Sequence, residues 1–153
     1  MVHIASECSS TSRLALCDRS SLPGAVDGAW WPQSSDLRTE LPDLVAILGL
    51  LIGAVHRVVY DPSIWPHAPS RIIRGTAQIS VDPYSLVARD TIYLIGTHQR
   101  DAVLYVVPPT SPGDAAHRLL SAVTDGTRPM SVPVLRLMIR DSAAAAAGRS
   151  EAR

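Results

Sequence analysis

The segment TIYLIGTHQRDAVLYVVPP, residues 91–109, reads as a β-hairpin and sets the fold class. An apolar run from Thr91 to Ile95 leads into a polar turn at 97–101. A second apolar run follows and is ended by Pro108 and Pro109. Proline has no N–H to give a ladder, so the pair marks where the second strand stops. A connection this short joins strands that pair antiparallel. Further back, RIIRGTAQISV (71–81) reads as two short strands around Gly75, and AVHRVVY (54–60) is β-branched and strand-like. Near the start, RLALC (13–17) and VDGAWWP (26–32) read as two extended segments on either side of the Pro-Gly turn in SLPGAV, with Pro32 ending the second.

Between these strands lies the clearest helical signal, SSDLRTELPDLVAILGLLIG, residues 34–53. Leu37, Leu41, Leu44, Val45 and Leu48 recur at the spacing of one buried helix face. Ser34, Ser35 or Asp36 supplies the N-cap, and the acids at 36, 40 and 43 suit the positive end. Pro42 must kink or restart this helix, and Gly49 and Gly53 are its expected stops. A second helix is expected over SPGDAAHRLLSAV (111–123), starting near Ser111 or Pro112, with Ala116, Leu119, Leu120 and Val123 buried. DPSIWPHAPS (61–70) holds three prolines and must be a loop, and DPYSLVARD (82–90) is a connector. The final SVPVLRLMIRDSAAAAAGRSEAR is either a helix through its alanines, stopped by Gly148, or a low-complexity tail. The sum is an α+β fold on a mostly antiparallel sheet of about five to six strands with two main helices. Residues 1–12 are expected to be flexible, 13–125 to form a single domain, and 126–153 to be a C-terminal extension, helical or disordered.

Composition narrows the function classes. The chain has 153 residues, of which 46% are apolar, enough for a globular core. Fourteen basic residues balance fourteen acids, and no basic run is present. Nucleic-acid binders concentrate positive charge, so this class is disfavoured. All the basic residues are arginine, which points to a GC-rich genome and excludes lysine-based Schiff-base or phosphate-loop chemistry. Cys8 and Cys17 have no metal-type spacing and read as two reduced thiols. The start MVHIASECSSTSR has neither a basic nor an apolar signal region, and LVAILGLLIGAV (44–55) is shorter than the ~20 residues a membrane helix needs. A cytoplasmic protein with no membrane partner is expected.

Two stretches qualify as ligand-binding candidates. The first contains Asp27, Trp30 and Trp31, where a carboxylate beside aromatic faces is one way to hold a polar or cationic group. Neighbouring strand residues point to opposite faces, so the two tryptophans cannot share one core. The alternative is structural: one ring in the core, the other under a loop, and Asp27 accepting backbone bonds at a bend that Gly28 permits. The second stretch contains Asp61, Trp65 and His67 on the loop after Tyr60. It reads either as acid–base machinery or as an Asp-Pro turn with Trp65 folded back as a lid. His3, His56, His67, His98 and His117 have no metal-site spacing, and no nucleophile elbow or Ser-x-x-Lys motif occurs. Neither a catalytic residue, nor a metal, nor a cofactor is therefore assigned.

The order DGAWWP, DL..ELP.LVA.L, V.RVVYD...W..AP.R and LIG...RDAVLYVVPP, closed by a short Ala-rich helix, resembles a family of small actinobacterial proteins built on a domain of unknown function. The likeness spans roughly residues 13–124; it departs at GTHQRD, where relatives carry a glycine turn, and after residue 125. It implies no activity. The expected function is a non-catalytic binding or interaction module, with homo-oligomerisation compatible. The alternative is a small-molecule-binding protein or enzyme whose pocket is lined by these Trp and Asp side chains. Nucleic-acid binding would require Arg57, Arg71, Arg74, Arg89 and Arg100 to gather on one sheet face.

Overall fold

A computed structural model of the chain describes residues 13–17, 25–85, 88–97, 100–125 and 131–151, with side chains in the last helix described as far as Asp141. The Ser-rich start, Pro23 and Gly24 of the first turn, and His3, Cys8 and His98 lie outside the described residues. Seven strands are described: β1 (Leu14–Leu16), β2 (Gly28–Trp30), β3 (Arg57–Tyr60), β4 (Arg71–Arg74), β5 (Ala77–Pro83), β6 (Thr91–Ile95) and β7 (Asp101–Val106). The helices are α1 (Leu37–Ile52), α2 (Gly113–Asp125) and α3 (Val132–Glu151). The chain forms two compact units, one of Met1–Trp31 with Val107–Arg153 and the other of Pro32–Val106.

In the second unit α1 begins at Asp36, whose carboxylate accepts from the Arg38 N–H and the Thr39 hydroxyl. Glu40 reaches back to accept from the Gln33 N–H and the Ser34 hydroxyl. The cap thus uses side chains to satisfy donors that a helix start otherwise leaves open. Leu37, Leu41, Leu44, Val45, Leu48 and Ile52 form the buried stripe. The helix runs unbroken through Pro42, which removes a single rung because it has no N–H to offer the Arg38 carbonyl. It also runs through Gly49 and ends at Gly53, where φ is +81°. An Arg100 guanidinium N–H donates to the Leu51 carbonyl and closes the last turn.

The strands of this unit lie in the order β7-β6-β3-β5-β4. Strand β3 pairs antiparallel with β6 and parallel with β5, so Val58 stands opposite Leu94 on one side and Val81 on the other. The hairpin β6–β7 continues the row, with Leu94 opposite Ala102 and Ile92 opposite Leu104. At the other end β4 and β5 form a hairpin that pairs Arg74 with Ala77, leaving Gly75 and Thr76 as a two-residue loop. Such loops require positive φ at the first position, and Gly75 supplies +60°.

The first unit pairs β1 with β2, placing Leu14 opposite Trp30 and Leu16 opposite Gly28. Helix α2 packs on both strands with Ala115, Ala116, Leu119, Leu120 and Val123 buried, and α3 packs on α2 through Val132 and Leu135. Gly28 permits close approach: a Cβ at this position would run into the Ala15 carbonyl oxygen. Its role is to let β1 come near.

The fold class α+β holds, with three corrections. Among the described residues there are seven strands where about five to six were expected, and the sheet is mixed rather than mostly antiparallel. Parallel pairing arises because the 61–70 loop carries the chain outward to β4, and the hairpin then returns β5 into the place beside β3. A third helix, α3, continues past Gly148 to Glu151. No helix among the described residues is long and apolar enough to cross a membrane.

The glycines give a paired prediction. Gly28→Ala is expected to lower stability by about 2–3 kcal/mol through backbone overpacking. Gly49→Ala is expected to raise it by up to about 1 kcal/mol, from helix propensity alone. Urea unfolding midpoints of the two variants distinguish these outcomes.

Candidate functional site

Asp27, Trp30 and Trp31 belong to the first unit. Trp30 lies on β2 and Trp31 just after it, and both rings are buried. Trp31 and Arg13 exchange a reciprocal clasp: the Trp31 N–H donates to the Arg13 carbonyl at 2.7 Å, and Arg13 Nε donates to the Trp31 carbonyl at 2.9 Å. The same guanidinium lies 3.9 Å from the centroid of the Trp31 ring, and the His117 ring on α2 meets Trp31 edge-on at 5.2 Å. Trp31 is thus held among β1, its own backbone and α2. A cation over an indole face contributes about 0.5–2 kcal/mol according to its exposure. Asp27 is half-buried, and its carbonyl accepts from the Cys17 N–H.

Asp61, Trp65 and His67 belong to the second unit. The buried Asp61 carboxylate accepts from both the N–H and the hydroxyl of Ser63, while its carbonyl accepts from the Ile64 and Trp65 N–H groups. These bonds build the turn that folds Trp65 inward, where 1% of it is exposed. His67 is exposed and pairs by backbone with Asp36. It lines an open depression of about 600 Å³ together with Asp36 and Arg38, at the start of α1. Asp61 and Trp65 do not line it. The Asp36 carboxylate already occupies the donors of the helix start, so the depression does not present the free N–H groups that hold an anion.

A different concavity has the chemistry of a binding site. Val45 and Gly49 on α1, Val55, and Arg74, Gly75 and Ile79 of the β4–β5 hairpin line a groove of about 390 Å³. Val45, Val55 and Ile79 form an apolar floor, and each is buried. Gly49 lies one turn beyond Val45, on the stripe that continues to Ile52. A Cβ at Gly49 would meet no atom beyond its chain neighbours and its own helix backbone within 4 Å, so this wall of the groove has open space beside it. The rim carries one cation, Arg74. The alternation of β4 and β5 sets Arg74 on the face of Ile72, Ile79 and Ala77, and Arg71 and Ile73 on the other.

From the sequence Gly49 was expected to stop the helix, and Arg74 was considered only as one of five arginines for a nucleic-acid face. The stripe at 37, 41, 44, 45 and 48 is continued by Ile52, so the glycine at 49 leaves no break in the pattern that would mark the groove. Among the described residues no group of three or more His, Cys, Asp or Glu side chains is placed to hold a metal ion.

A family model described as a family of unknown function, DUF5994, matches residues 13–123, and the chain belongs to that family. No curated protein and no solved structure matches the chain.

The Trp31 clasp makes its own prediction. Arg13→Ala is expected to lower stability by about 1–2 kcal/mol, since the stacked cation and the Nε bond go together. Arg13→Lys is expected to restore only part of this, because an ammonium cannot both lie flat on the indole and donate from the Nε position. Thermal unfolding followed by tryptophan fluorescence is the measurement.

Proposed function

We propose that the protein is a non-catalytic binding module whose binding face is the groove between α1 and the β4–β5 hairpin. The supporting observation is the glycine at 49, which lines the groove beside the buried stripe at a point where a Cβ would meet no atom beyond its own helix backbone and chain neighbours within 4 Å. Glycine inside a helix costs about 1 kcal/mol relative to alanine. The chain bears that cost at a position that lines the groove over the buried Val45, Val55 and Ile79. The groove's volume, about 390 Å³, falls at the small end of the range of roughly 300–1,000 Å³ typical of small-molecule sites.

The pocket lined by Trp and Asp gains no comparable support. Asp61 is committed to its turn and Trp65 to the core. Nucleic acid is disfavoured on similar grounds. Arg57 is paired with Asp82 at 2.8 Å, Arg100 is bonded to Leu51, and Arg71 and Arg74 lie on opposite faces of β4. A GC-rich, actinobacterial source is the setting favoured by the all-arginine composition, and cytoplasmic residence the one favoured by two cysteines that lack disulfide or metal spacing.

Filling the groove tests the reading. Gly49→Leu places an apolar side chain in it and favours the helix at the same time. A neutral solvatochromic dye is expected to bind the wild type saturably and the variant at least about tenfold more weakly, a loss of about 1.4 kcal/mol. The variant's melting temperature is expected to hold or rise. Equal dye affinity in the two folded proteins would remove the groove as the binding face.

A further inference from the structure

Resting on the groove as the binding face, we infer that its occupant is a medium-chain aliphatic carboxylate, with its alkyl chain along Val45, Val55 and Ile79 and its head group on Arg74. The floor offers no hydrogen-bonding side chain, so the buried part of a ligand must be apolar; a polar group set there would lose its water without replacement. The rim carries a single cation and no acid. No Asp or Glu forms an ion pair with Arg74 among the described residues, so its guanidinium stands ready for an anion. A guanidinium matches a carboxylate with two parallel N–H bonds, a geometry that an alcohol cannot use and an ammonium opposes.

Two further features restrict the class. A single arginine neutralises one charge, which suits a monoanion better than a phosphate monoester or diphosphate. A volume of about 390 Å³ holds one chain rather than the paired chains of a membrane lipid. Arg74 immediately precedes the Gly75–Thr76 loop, so its side chain is carried at the turn of a hairpin while the apolar floor is carried by α1 and the sheet.

Isothermal titration of the full chain with decanoate, decanol and decyltrimethylammonium, each below its micelle concentration, tests the inference on the wild type, Arg74→Gln and Gly49→Leu. Circular dichroism confirms that each variant is folded. Decanoate is expected to bind the wild type in preference to decanol, with the cationic amphiphile weakest. Arg74→Gln is expected to weaken decanoate by about tenfold and leave decanol unchanged. Gly49→Leu is expected to weaken both. Equal affinity for decanol and decanoate, insensitive to Arg74→Gln but lost in Gly49→Leu, would overturn the carboxylate and leave the groove standing. Binding of both ligands that Gly49→Leu does not affect would overturn the groove with it. Absence of heat from all three ligands on the wild type would overturn the carboxylate, while the neutral dye continues to judge the groove on its own.

Discussion

The second unit depends on the pairing of β3 along both of its edges. Its four residues, Arg57–Tyr60, are bonded antiparallel to β6 and parallel to β5, and Val58 is wholly buried between Leu94 and Val81. Side chains alternate along a strand, so a slip of one residue would turn this row out to solvent and bring the opposite row in. The opposite row includes Arg57 and Asp82, whose ion pair stabilises little at the surface and would be costly to bury. Register is therefore enforced from both faces. Once β5 is fixed beside β3, the two-residue loop at Gly75 fixes β4 beside β5, and Arg74 reaches the rim of the groove by consequence.

Helix α1 provides the opposite wall and is held at both ends. Asp36 and Glu40 close its first turn, and the Arg100 guanidinium closes its last from the connection between β6 and β7. A helix fixed in this way cannot easily slide to fill a gap in its own stripe. That constraint keeps the wall at Val45 and Gly49 in place beside the groove. Large-to-small changes in cores vary in cost for the same reason, since the outcome depends on whether the neighbours can relax.

Much of the fold was legible in the sequence because its signals are local. The stripe at Leu37, Leu41, Leu44, Val45 and Leu48 is a property of a single helix, and all five residues are buried. The hairpins around Gly75 and across residues 91–106 were legible for the same reason: short connections leave few partners to choose from. The parallel junction of β3 and β5 was not legible, because periodicity within 54–60 and 77–83 does not record where the 61–70 loop delivers the chain. The surroundings of the candidate site residues were not legible in the sequence. Tryptophans drew attention as large aromatic surfaces, yet Trp31 is clasped by Arg13 and His117, and Trp65 is turned inward by Asp61. The groove is built from valines, an isoleucine, glycines and one arginine, residue types that carry no motif. A concavity is made by what is missing at a position, and composition has no term for that.

Gly49 has two effects at once, since the same residue weakens the helix and leaves room in the groove. If it served only to end α1, the helix would stop there; instead it continues to Ile52 and stops at Gly53, whose φ of +81° is the conformation glycine is needed for. If it served close packing, a Cβ at the position would strike a neighbour, as one at Gly28 would strike the Ala15 carbonyl; at Gly49 it meets open space. With termination and close packing both set aside, the remaining physical consequence of glycine at this position is room in the groove that lies over the buried Val45, Val55 and Ile79. Local departures from the best residue for stability tend to collect where a protein does its work. In this chain the departure lines the same groove as an arginine that has no acid partner among the described residues, and an apolar floor beside that arginine is complementary to a molecule with one end of each kind.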